Sequence, residues 1–340
     1  MKSTEGTFQS VWTLGEQRDG RISPVSYELL AWGRDLADKR GTTLASVILG
    51  YNLKDRVNTL IEHGADIIYV VDNPALEHAY PDAHAAVLEK LVREFLPEIF
   101  IASATTYGRT IMPVLAAKLE TGLTADCTGL DIDPETGLLI QTRPAIGGNV
   151  MATIKTPKHR PQMSTVRPRS RKPLASDASR KGQVIVRECP DDAYASKVKF
   201  LEFIKDETTA LPIQEAEIVV SGGKGLKDAK NFQMVHELAD LLGASVGASR
   251  QAVDLGWIPY SHQVGLSGKT VSPHLYVCAG VSGAVQHIAG MSSADIVVAI
   301  NNDPDAPIFR VCDFGIVGDA IEIIPILIEK LQSQKATSPK

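Results

Sequence analysis

A glycine-rich turn at residues 221–225 is the first place in the sequence where residue types and spacing suggest chemistry. An apolar run leads into SGGKG, and an amphipathic helical pattern follows. Glycines let main-chain amides approach an anion, a following helix N-terminus adds a positive dipole, and Lys224 adds a charge. The pattern therefore predicts a phosphate-binding turn. Its spacing matches neither G-x-G-x-x-G nor the Walker motif, so an ordinary strand-to-helix turn is the alternative.

Three further segments combine glycine with serine, arginine or histidine at the ends of predicted strands. They read VGASRQAVDLGW, HQVGLSGKTVSP and AGVSGAVQHIAG. In open parallel α/β sheets, ligands bind outside the carboxyl ends of the strands. Several such loops on one edge indicate a ligand larger than a single phosphate.

The order of these motifs resembles the α subunit of electron-transfer flavoproteins, the family that includes FixB. The shared motifs are GASR at 247–250, QVGLSGK at 263–269, SGAVQH at 282–287 and NNDPDAPIF at 301–309. TRP at 142–144 extends the resemblance into the first half of the chain.

The resemblance implies an α/β protein with two domains. Residues 1–208 would form an N-terminal nucleotide-hydrolase-like α/β domain, a scaffold that contacts the β subunit and holds no cofactor. Residues 209–340 would form a C-terminal parallel-sheet domain that binds FAD.

Position by position, the resemblance also implies which residues contact FAD. They are Lys224, Ser249, Arg250, Gln263, Val264, Gly265, Leu266, Ser267, Ser282, Gly283, Ala284, Val285, Gln286, His287, Asn301, Asp319 and Ala320. Lys224 stands where some relatives have arginine, so it offers a point charge rather than a bidentate phosphate contact. Leu266 replaces a glutamine of mitochondrial members, which removes one polar group from the flavin environment.

Three of these residues are predicted to tune the flavin. An isoalloxazine that gains an electron without a proton becomes negative, so cations and hydrogen-bond donors beside it favour that state. The resemblance places His287 near the C2 oxygen, Arg250 over the flavin and Ser267 near N5. The alternatives are a satisfied core histidine for His287 and a surface charge at a helix start for Arg250.

The function implied by the resemblance is electron transfer, as a carrier more than as an enzyme. The chain would form a heterodimer with the β subunit in the cytoplasm and relay single electrons between a dehydrogenase, such as an acyl-CoA dehydrogenase, and another acceptor. A narrower hypothesis is flavin-based electron bifurcation from NADH, with ferredoxin or flavodoxin as the second acceptor. TGLTADCTGL and QVGLSGK motivate it.

Three alternatives belong to other classes or subtypes. A non-bifurcating carrier would pass electrons from dehydrogenases to a quinone oxidoreductase. An ATP-binding enzyme of the nucleotide-hydrolase type would use SGGKG, although no acidic pair is evident for metal-assisted phosphoryl transfer. A degenerate relative would act only as a protein-binding scaffold.

Other chemically suggestive residues favour plainer interpretations. Cys127, Cys189, Cys278 and Cys312 form no C-x-x-C pair, which argues against a zinc site or a disulfide framework, and they are predicted to be buried and inert, Cys278 and Cys312 in strand-like runs. His236, Glu237 and Asp240 lack the H-E-x-x-H pattern, so a solvated helix face is expected rather than a metal site.

The elements that must position these residues follow a βα alternation. Strands are predicted at 45–49, 67–71, 98–102, 217–220, 275–279 and 297–300, and helices at 109–119 and 321–331, which indicates mostly parallel sheets. The β-prone runs LLIQTRP, GGNVMATIK and PQMSTVRP are predicted to be antiparallel edge strands or hairpins. A domain boundary is predicted near 206–212.

Composition limits the classes of function. The 340 residues have 44% hydrophobic and 22% charged residues and a net charge of −5, which fits a folded protein of about two domains without a global basic footprint. The basic segment 167–181 lacks interleaved aromatic residues and is predicted to be a solvated loop rather than a nucleic-acid site. No N-terminal apolar region or membrane-spanning run is evident, so no membrane insertion is expected.

Overall fold

The computed structural model describes residues 8–18, 20–53, 56–145, 150–202 and 213–337. The chain divides into two compact units, 1–202 and 203–340. The predicted boundary at 206–212, with its division between 208 and 209, lies outside the described residues and stays a prediction.

The first unit is an α/β layer structure with a smaller antiparallel sheet. Its elements are β1 (Gln9–Gly15), β2 (Gln17–Arg18), β3 (Arg21–Ile22), α1 (Pro24–Arg40), β4 (Leu44–Gly50), α2 (Asn58–Glu62), β5 (Ile67–Asp72), α3 (Pro81–Phe95), β6 (Pro97–Ser103), α4 (Thr106–Lys118), β7 (Leu123–Cys127), β8 (Gly129–Ile132), β9 (Leu139–Pro144), β10 (Met151–Ile154), β11 (Gln162–Val166) and β12 (Gln183–Val186).

Seven strands of this unit form one parallel sheet in the order β12-β5-β4-β1-β6-β11-β7. Every residue of β4 is buried, and its side chains alternate between two cores because strand residues point to opposite faces. Val47 and Leu49 pack with α3 and α4, while Leu44 and Ile48 pack with α1 and α2. The mostly parallel α/β sheet predicted from the sequence is confirmed.

The three β-prone runs predicted after Leu138 form strands in two different sheets. LLIQTRP and VMATI form the antiparallel neighbours β9 and β10, beside β8, as predicted. PQMSTVRP was wrongly predicted as an edge strand, because β11 lies inside the large sheet, parallel to both β6 and β7. Its polar residues are buried, and Gln162 Oε1 accepts a 2.9 Å hydrogen bond from the main-chain amide of Leu139.

The basic segment 167–181 is a connecting loop, as predicted, and acidic partners neutralise three of its arginines. Arg167 makes a bidentate contact with Asp126 at 3.0 and 2.8 Å. Arg171 pairs with Asp35 at 3.2 Å, and Arg180 pairs with Asp66 at 3.1 Å. These arginines hold the loop against the unit rather than present a basic surface.

Residues 196–200, near the end of the first unit, are held by a clasp made of His78, Tyr80 and Asp82. The Asp82 carboxylate accepts hydrogen bonds of 2.7 Å from the Ser196 hydroxyl and from the main-chain amide of Lys197. The main-chain amide of Phe200 donates to the Tyr80 hydroxyl at 3.1 Å, and the rings of Phe200 and His78 stack at 3.7 Å.

The second unit is a five-stranded parallel sheet with helices beside it. Its elements are β13 (Ile218–Gly222), α5 (Phe232–Leu242), β14 (Ser245–Ala248), α6 (Arg250–Asp254), β15 (Leu275–Ala279), α7 (Val285–Met291), β16 (Ile296–Asn301), β17 (Phe314–Val317) and α8 (Ala320–Thr337). The strand order is β14-β13-β15-β16-β17. Helices α5 and α8 cover one face of the sheet through Val235, Leu238 and Ile324.

Because all five strands are parallel, the loops after them emerge along a single edge. This arrangement brings together the motifs at 221–225, 247–250 and 282–287, which are far apart in sequence. No helix among the described residues is both long and apolar enough to cross a membrane.

Candidate functional site

A cleft of about 340 Å³ lies at the carboxyl ends of β13, β14, β15 and β16. Seven residues predicted from the sequence line it: Lys224, Ser249, Arg250, Ser282, Ala284, His287 and Asn301. Gly225, Gln251, Gly280 and Val281 also line the cleft and were not among the predicted contacts. Gly225 belongs to the glycine-rich turn predicted at 221–225, and the other three lie in the glycine-containing segments that follow predicted strands.

The predicted contacts at 263–267 form a loop beside the cleft but do not line it. The amide of Val264 donates to Ala248 at 2.9 Å, and the amide of Leu266 donates to Gln286 at 2.9 Å, so the loop is held between β14 and α7. Gly265 lies against the main chain of this helix region with φ near +147°, a conformation that favours glycine.

The side chains of this loop point to different surroundings. Leu266 is 62% exposed and Val264 is buried in the core. The side-chain amide of Gln263 donates to the Ser267 hydroxyl at 3.1 Å. The main-chain carbonyl of Ser267 accepts from the Tyr260 hydroxyl at 2.6 Å.

The five other predicted contacts also lie near this edge of the sheet without lining the cleft. Val285 and Gln286 are exposed in the first turn of α7, and Gly283 is packed against the main chain of Ile308. Asp319 binds Lys227 at 2.7 Å and caps the start of α8 through the Ile321 amide at 3.0 Å. The Ala320 side chain is buried in the core.

The glycine-rich turn at 221–225 differs from the predicted phosphate turn. The amides of Gly223 and Gly225 donate to the carbonyls of Ala279 and Gly280, each at 2.9 Å, so they are already used within the protein. A 3-10 turn, Lys224–Leu226, follows the strand, and α5 begins only at Phe232. The prediction that these amides and this helix start would hold an anion was therefore wrong, and Lys224 is the group in the turn that remains available.

The two glycine segments meet backbone to backbone at this point. A Cβ on Gly223 would lie 2.2 Å from the Gly280 carbonyl oxygen, so no larger residue fits without a shift of the main chain. The floor of the cleft is therefore formed by main chain from the ends of β13 and β15.

Two cations stand at the cleft with little to neutralise them. Lys224 is exposed and makes no ion pair with the residues that the structure describes. Arg250 has a 70% exposed side chain and pairs with Asp254 at 3.3 Å, one turn along α6. Exposed pairs of this kind contribute about 0–1 kcal/mol, so the guanidinium can exchange Asp254 for an anionic ligand at small cost.

His287 contributes a buried imidazole to the same cleft. It is 5% exposed, and its Nε2 lies 2.9 Å from the hydroxyl of Tyr276. Burial lowers the pKa of His287 to about 4, against a weaker opposite effect of the Val264 main chain. The side chain is therefore neutral at pH 7, and it acts as a hydrogen-bonding group rather than as a cation.

The cysteines and the helical acid-histidine group lie away from this chemistry. Burial raises the pKa of Cys127 and of Cys278 to about 12, so neither thiol is a nucleophile at neutral pH. Cys278 lies in β15 as predicted, but Cys312 lies in the turn before β17 rather than in a strand. His236, Glu237 and Asp240 lie on the exposed face of α5.

A second polar cluster lies at the ends of β1 and β6 in the first unit. Glu16 accepts a 2.7 Å hydrogen bond from the Thr105 hydroxyl, and burial raises the pKa of Glu16 to about 7. Tyr107 and His84 lie next to it, with the Tyr107 hydroxyl 2.8 Å from His84 Nδ1. Burial lowers the pKa of His84 to about 4. The sequence analysis did not single out these residues.

Comparison with known proteins identifies the family of both units. Residues 11–192 match the electron transfer flavoprotein domain, and residues 212–292 match the electron transfer flavoprotein FAD-binding domain. The chain is 48% identical over 328 residues to the electron transfer flavoprotein subunit alpha of Thermoanaerobacterium thermosaccharolyticum, covering 96% of this chain and 99% of the relative. The chain belongs to the electron-transfer flavoprotein α-subunit family.

Two other relatives carry different names. Protein FixB of Clostridium saccharobutylicum is 46% identical over 94% of this chain and 96% of its own length. The acryloyl-CoA reductase electron transfer subunit beta of Anaerotignum propionicum is 39% identical over 97% of both chains. The activity of this family is electron transfer, and its cofactor is FAD.

The cleft of this electron-transfer flavoprotein α subunit fits FAD on its own chemistry. Lys224 and Arg250 carry the positive charge that a pyrophosphate would need, the main-chain floor would allow close approach, and Asn301 has a polar side chain at the end of β16. His287 Nδ1 is buried without a hydrogen-bond partner among the described residues, as expected of a group that a ligand completes. FAD supplies the one-electron chemistry, and the protein contributes binding, orientation and charge.

Proposed function

We propose that this chain is the FAD-carrying α subunit of a heterodimeric electron carrier and that the cleft at the ends of β13–β16 is its flavin site. The observation that carries the proposal is the convergence of Lys224, Arg250 and His287 on one cleft of a parallel sheet. The unit that contains this cleft matches the FAD-binding domain of the family.

The roles of these residues follow from their surroundings. The exposed cations Lys224 and Arg250 bind and orient the anionic parts of the cofactor, and His287 offers a neutral hydrogen-bonding group. The loop 263–267, tied to both β14 and α7, borders the same site, so Ser267 is proposed to approach the cofactor from that side. Asp319 and Ala320 would contribute through their main chain, because the Asp319 carboxylate is bound to Lys227 and the Ala320 side chain is buried.

The two units of the chain are proposed to have different roles in the heterodimer. The first unit would serve as the scaffold for the β subunit, and the second would carry the flavin, with the division at 208–209. The names of the relatives as subunits support a partner chain. The heterodimer is proposed to work in the cytoplasm.

The experiment that tests this proposal is to co-express the chain with its β subunit and measure FAD content and affinity. Lys224→Ala is expected to weaken FAD binding, since it removes a cation that has no ion pair among the described residues and lines the cleft. Lys230→Ala is the matched control, because Lys230 is an exposed lysine of the same unit outside the cleft. Equal FAD affinity in both variants would reject this cleft as the site, and a colourless parent complex that takes up no FAD would reject the function.

A second candidate function is electron bifurcation with an acyl-CoA dehydrogenase as one partner. It is supported by the similarity to a subunit whose name refers to acryloyl-CoA reductase. In that case NADH would reduce the complex, one electron would pass through this FAD to the dehydrogenase, and the other would pass to ferredoxin or flavodoxin.

Anaerobic titration with NADH separates the two subtypes. Two FAD per heterodimer and reduction by NADH are expected of a bifurcating complex. A complex with one FAD that NADH leaves oxidised, while a dehydrogenase reduces it, would instead indicate the simple carrier that delivers electrons to a quinone oxidoreductase.

A further inference from the structure

Tyr276 stands behind His287, one layer deeper than the cleft. It is fully buried on β15, the central strand of the second sheet, and its hydroxyl lies 2.9 Å from His287 Nε2. His287 lines the cleft, whereas Tyr276 does not. His287 therefore connects Tyr276 to the cleft.

The hydrogen bond between these two residues holds one proton, and its direction decides the state of the imidazole. Burial keeps both groups neutral, because it lowers the pKa of His287 to about 4 and raises the pKa of Tyr276 above its ordinary range. A neutral imidazole carries a proton on one nitrogen and a lone pair on the other. Two tautomers are thus compatible with the heavy-atom positions.

The chemistry of the two groups favours one direction. A phenol is a good hydrogen-bond donor, because its ordinary pKa is about 10. A neutral imidazole nitrogen, whose conjugate acid has an ordinary pKa of about 6.5, is a good acceptor. The Tyr276 proton is then directed at Nε2, and the imidazole proton lies on Nδ1.

The other imidazole nitrogen, Nδ1, lacks a hydrogen bond of ordinary geometry among the described residues, and the main chain of Val264 acts on the imidazole only weakly. This nitrogen is buried. A buried N–H group without an acceptor is rare in native proteins and costs about 1–3 kcal/mol. Such a group at a ligand cleft is best explained by an acceptor that arrives with the ligand.

We propose that Tyr276 is a positioning residue: its hydroxyl donates to His287 Nε2, fixes the Nδ1–H tautomer, and thereby reserves Nδ1–H as a donor for the bound cofactor. This inference rests on the proposed function, because it takes the cleft as the flavin site. It adds a residue that contacts neither the cleft nor the cofactor.

The test uses the complex of the full chain with its β subunit, labelled with ¹⁵N-histidine. Two-dimensional long-range ¹H–¹⁵N spectra distinguish the two imidazole tautomers, and His287→Gln assigns the signal. The parent is expected to show His287 as the Nδ1–H tautomer. Tyr276→Phe, which keeps the ring and removes the hydroxyl, is expected to shift the signal toward the other tautomer and to lower the FAD midpoint potential while FAD content stays unchanged.

Controls separate this role from general packing and from the proposed function. Tyr260→Phe removes a hydroxyl that bonds to the Ser267 carbonyl instead, so the His287 signal should not change. An Nε2–H tautomer in the parent overturns the proposal even if Tyr276→Phe fails to fold, and so does a Tyr276→Phe complex with the parent's signal and potential. Failure of the flavin site itself would be seen separately, as FAD affinity that Lys224→Ala does not weaken.

Discussion

The Thr105 hydroxyl donates a 2.7 Å hydrogen bond to the carboxyl group of Glu16, where β1 and β6 end side by side. This contact places an acidic side chain at the edge of the first sheet where its strands end, at the point where the strand order reverses. Ligands of such sheets commonly bind at that point. In this protein the Glu16 carboxyl group lies at that point, and its titration can be measured.

Glu16→Gln is expected to stabilise the protein above pH 7. Burial raises the folded-state pKa of Glu16 from 4.5 to about 7, so the stability contributed by its proton is complete below pH 4.5 and is lost as the pH rises through 7. The variant stays neutral and should gain roughly 1–3 kcal/mol at pH 8, with no gain below the unfolded pKa. Denaturant unfolding at several pH values measures this, with Glu77→Gln as the control for a lost charge.

Arg250→Ala is expected to weaken FAD binding or to lower the FAD potential, because it removes a cation from the cleft. The stability of the protein should change little, since the exposed pair with Asp254 contributes about 0–1 kcal/mol. Redox titration of the complex provides the measurement. Asp254→Asn, which frees the same guanidinium, should leave FAD binding as strong as in the parent. An unchanged potential and affinity in Arg250→Ala would refute its role.

Asp82→Ala is expected to open the clasp at residues 196–200. The carboxylate holds Ser196 and Lys197 through two hydrogen bonds, and bonds to charged groups contribute about 1.5–3 kcal/mol each. Trypsin should then cleave after Lys197 and Lys199 at least several-fold faster than in the parent, as followed by mass spectrometry. Asp192→Ala removes an exposed ion pair with Lys90 and is the control. Equal cleavage rates in both variants would show that the clasp does not restrain the segment.

Cys127 and Cys278 are expected to resist alkylation at pH 8. Their thiols are buried with pKa values raised to about 12, so little thiolate forms. Iodoacetamide should modify the half-buried Cys312 first, and denaturant should make all four thiols reactive. Early labelling of Cys127 in the folded protein would contradict its inert character.

The strands and helices that were predicted correctly are those with apolar runs, because such runs indicate burial. The strand predicted at 275–279 has the bounds of β15, and the helix predicted at 109–119 overlaps α4 except for its first three residues. Strand β11 was misplaced because Gln162, Ser164 and Thr165 look solvent-exposed in sequence, although all three are buried in the large sheet. Buried polar residues of a strand give no local signal of their position, because their partners, such as the Leu139 amide for Gln162 and the Asp126 amide for Thr165, are distant in sequence.

The site could be predicted as a set of loops but not as a set of contacts. Parallel strands bring the loops to one edge whatever their sequence, so the motifs with Lys224, Arg250 and His287 were correctly grouped. The prediction that the amides of the glycine-rich turn bind a phosphate was wrong, because the amides of Gly223 and Gly225 bond to a segment more than fifty residues away. Tyr276 was missed because its strand reads as a plain apolar run.

The arginines of segment 167–181 give this protein a particular response to ionic strength. Arg171 and Arg180 hold the loop through partly exposed ion pairs with Asp35 and Asp66, and added salt screens such pairs. High salt should therefore loosen the loop's attachment to its own unit. A change in this segment with added salt would therefore indicate that the loop separates from the rest of its unit. If these arginines had no partners in the chain, the same change would indicate that a nucleic acid dissociates.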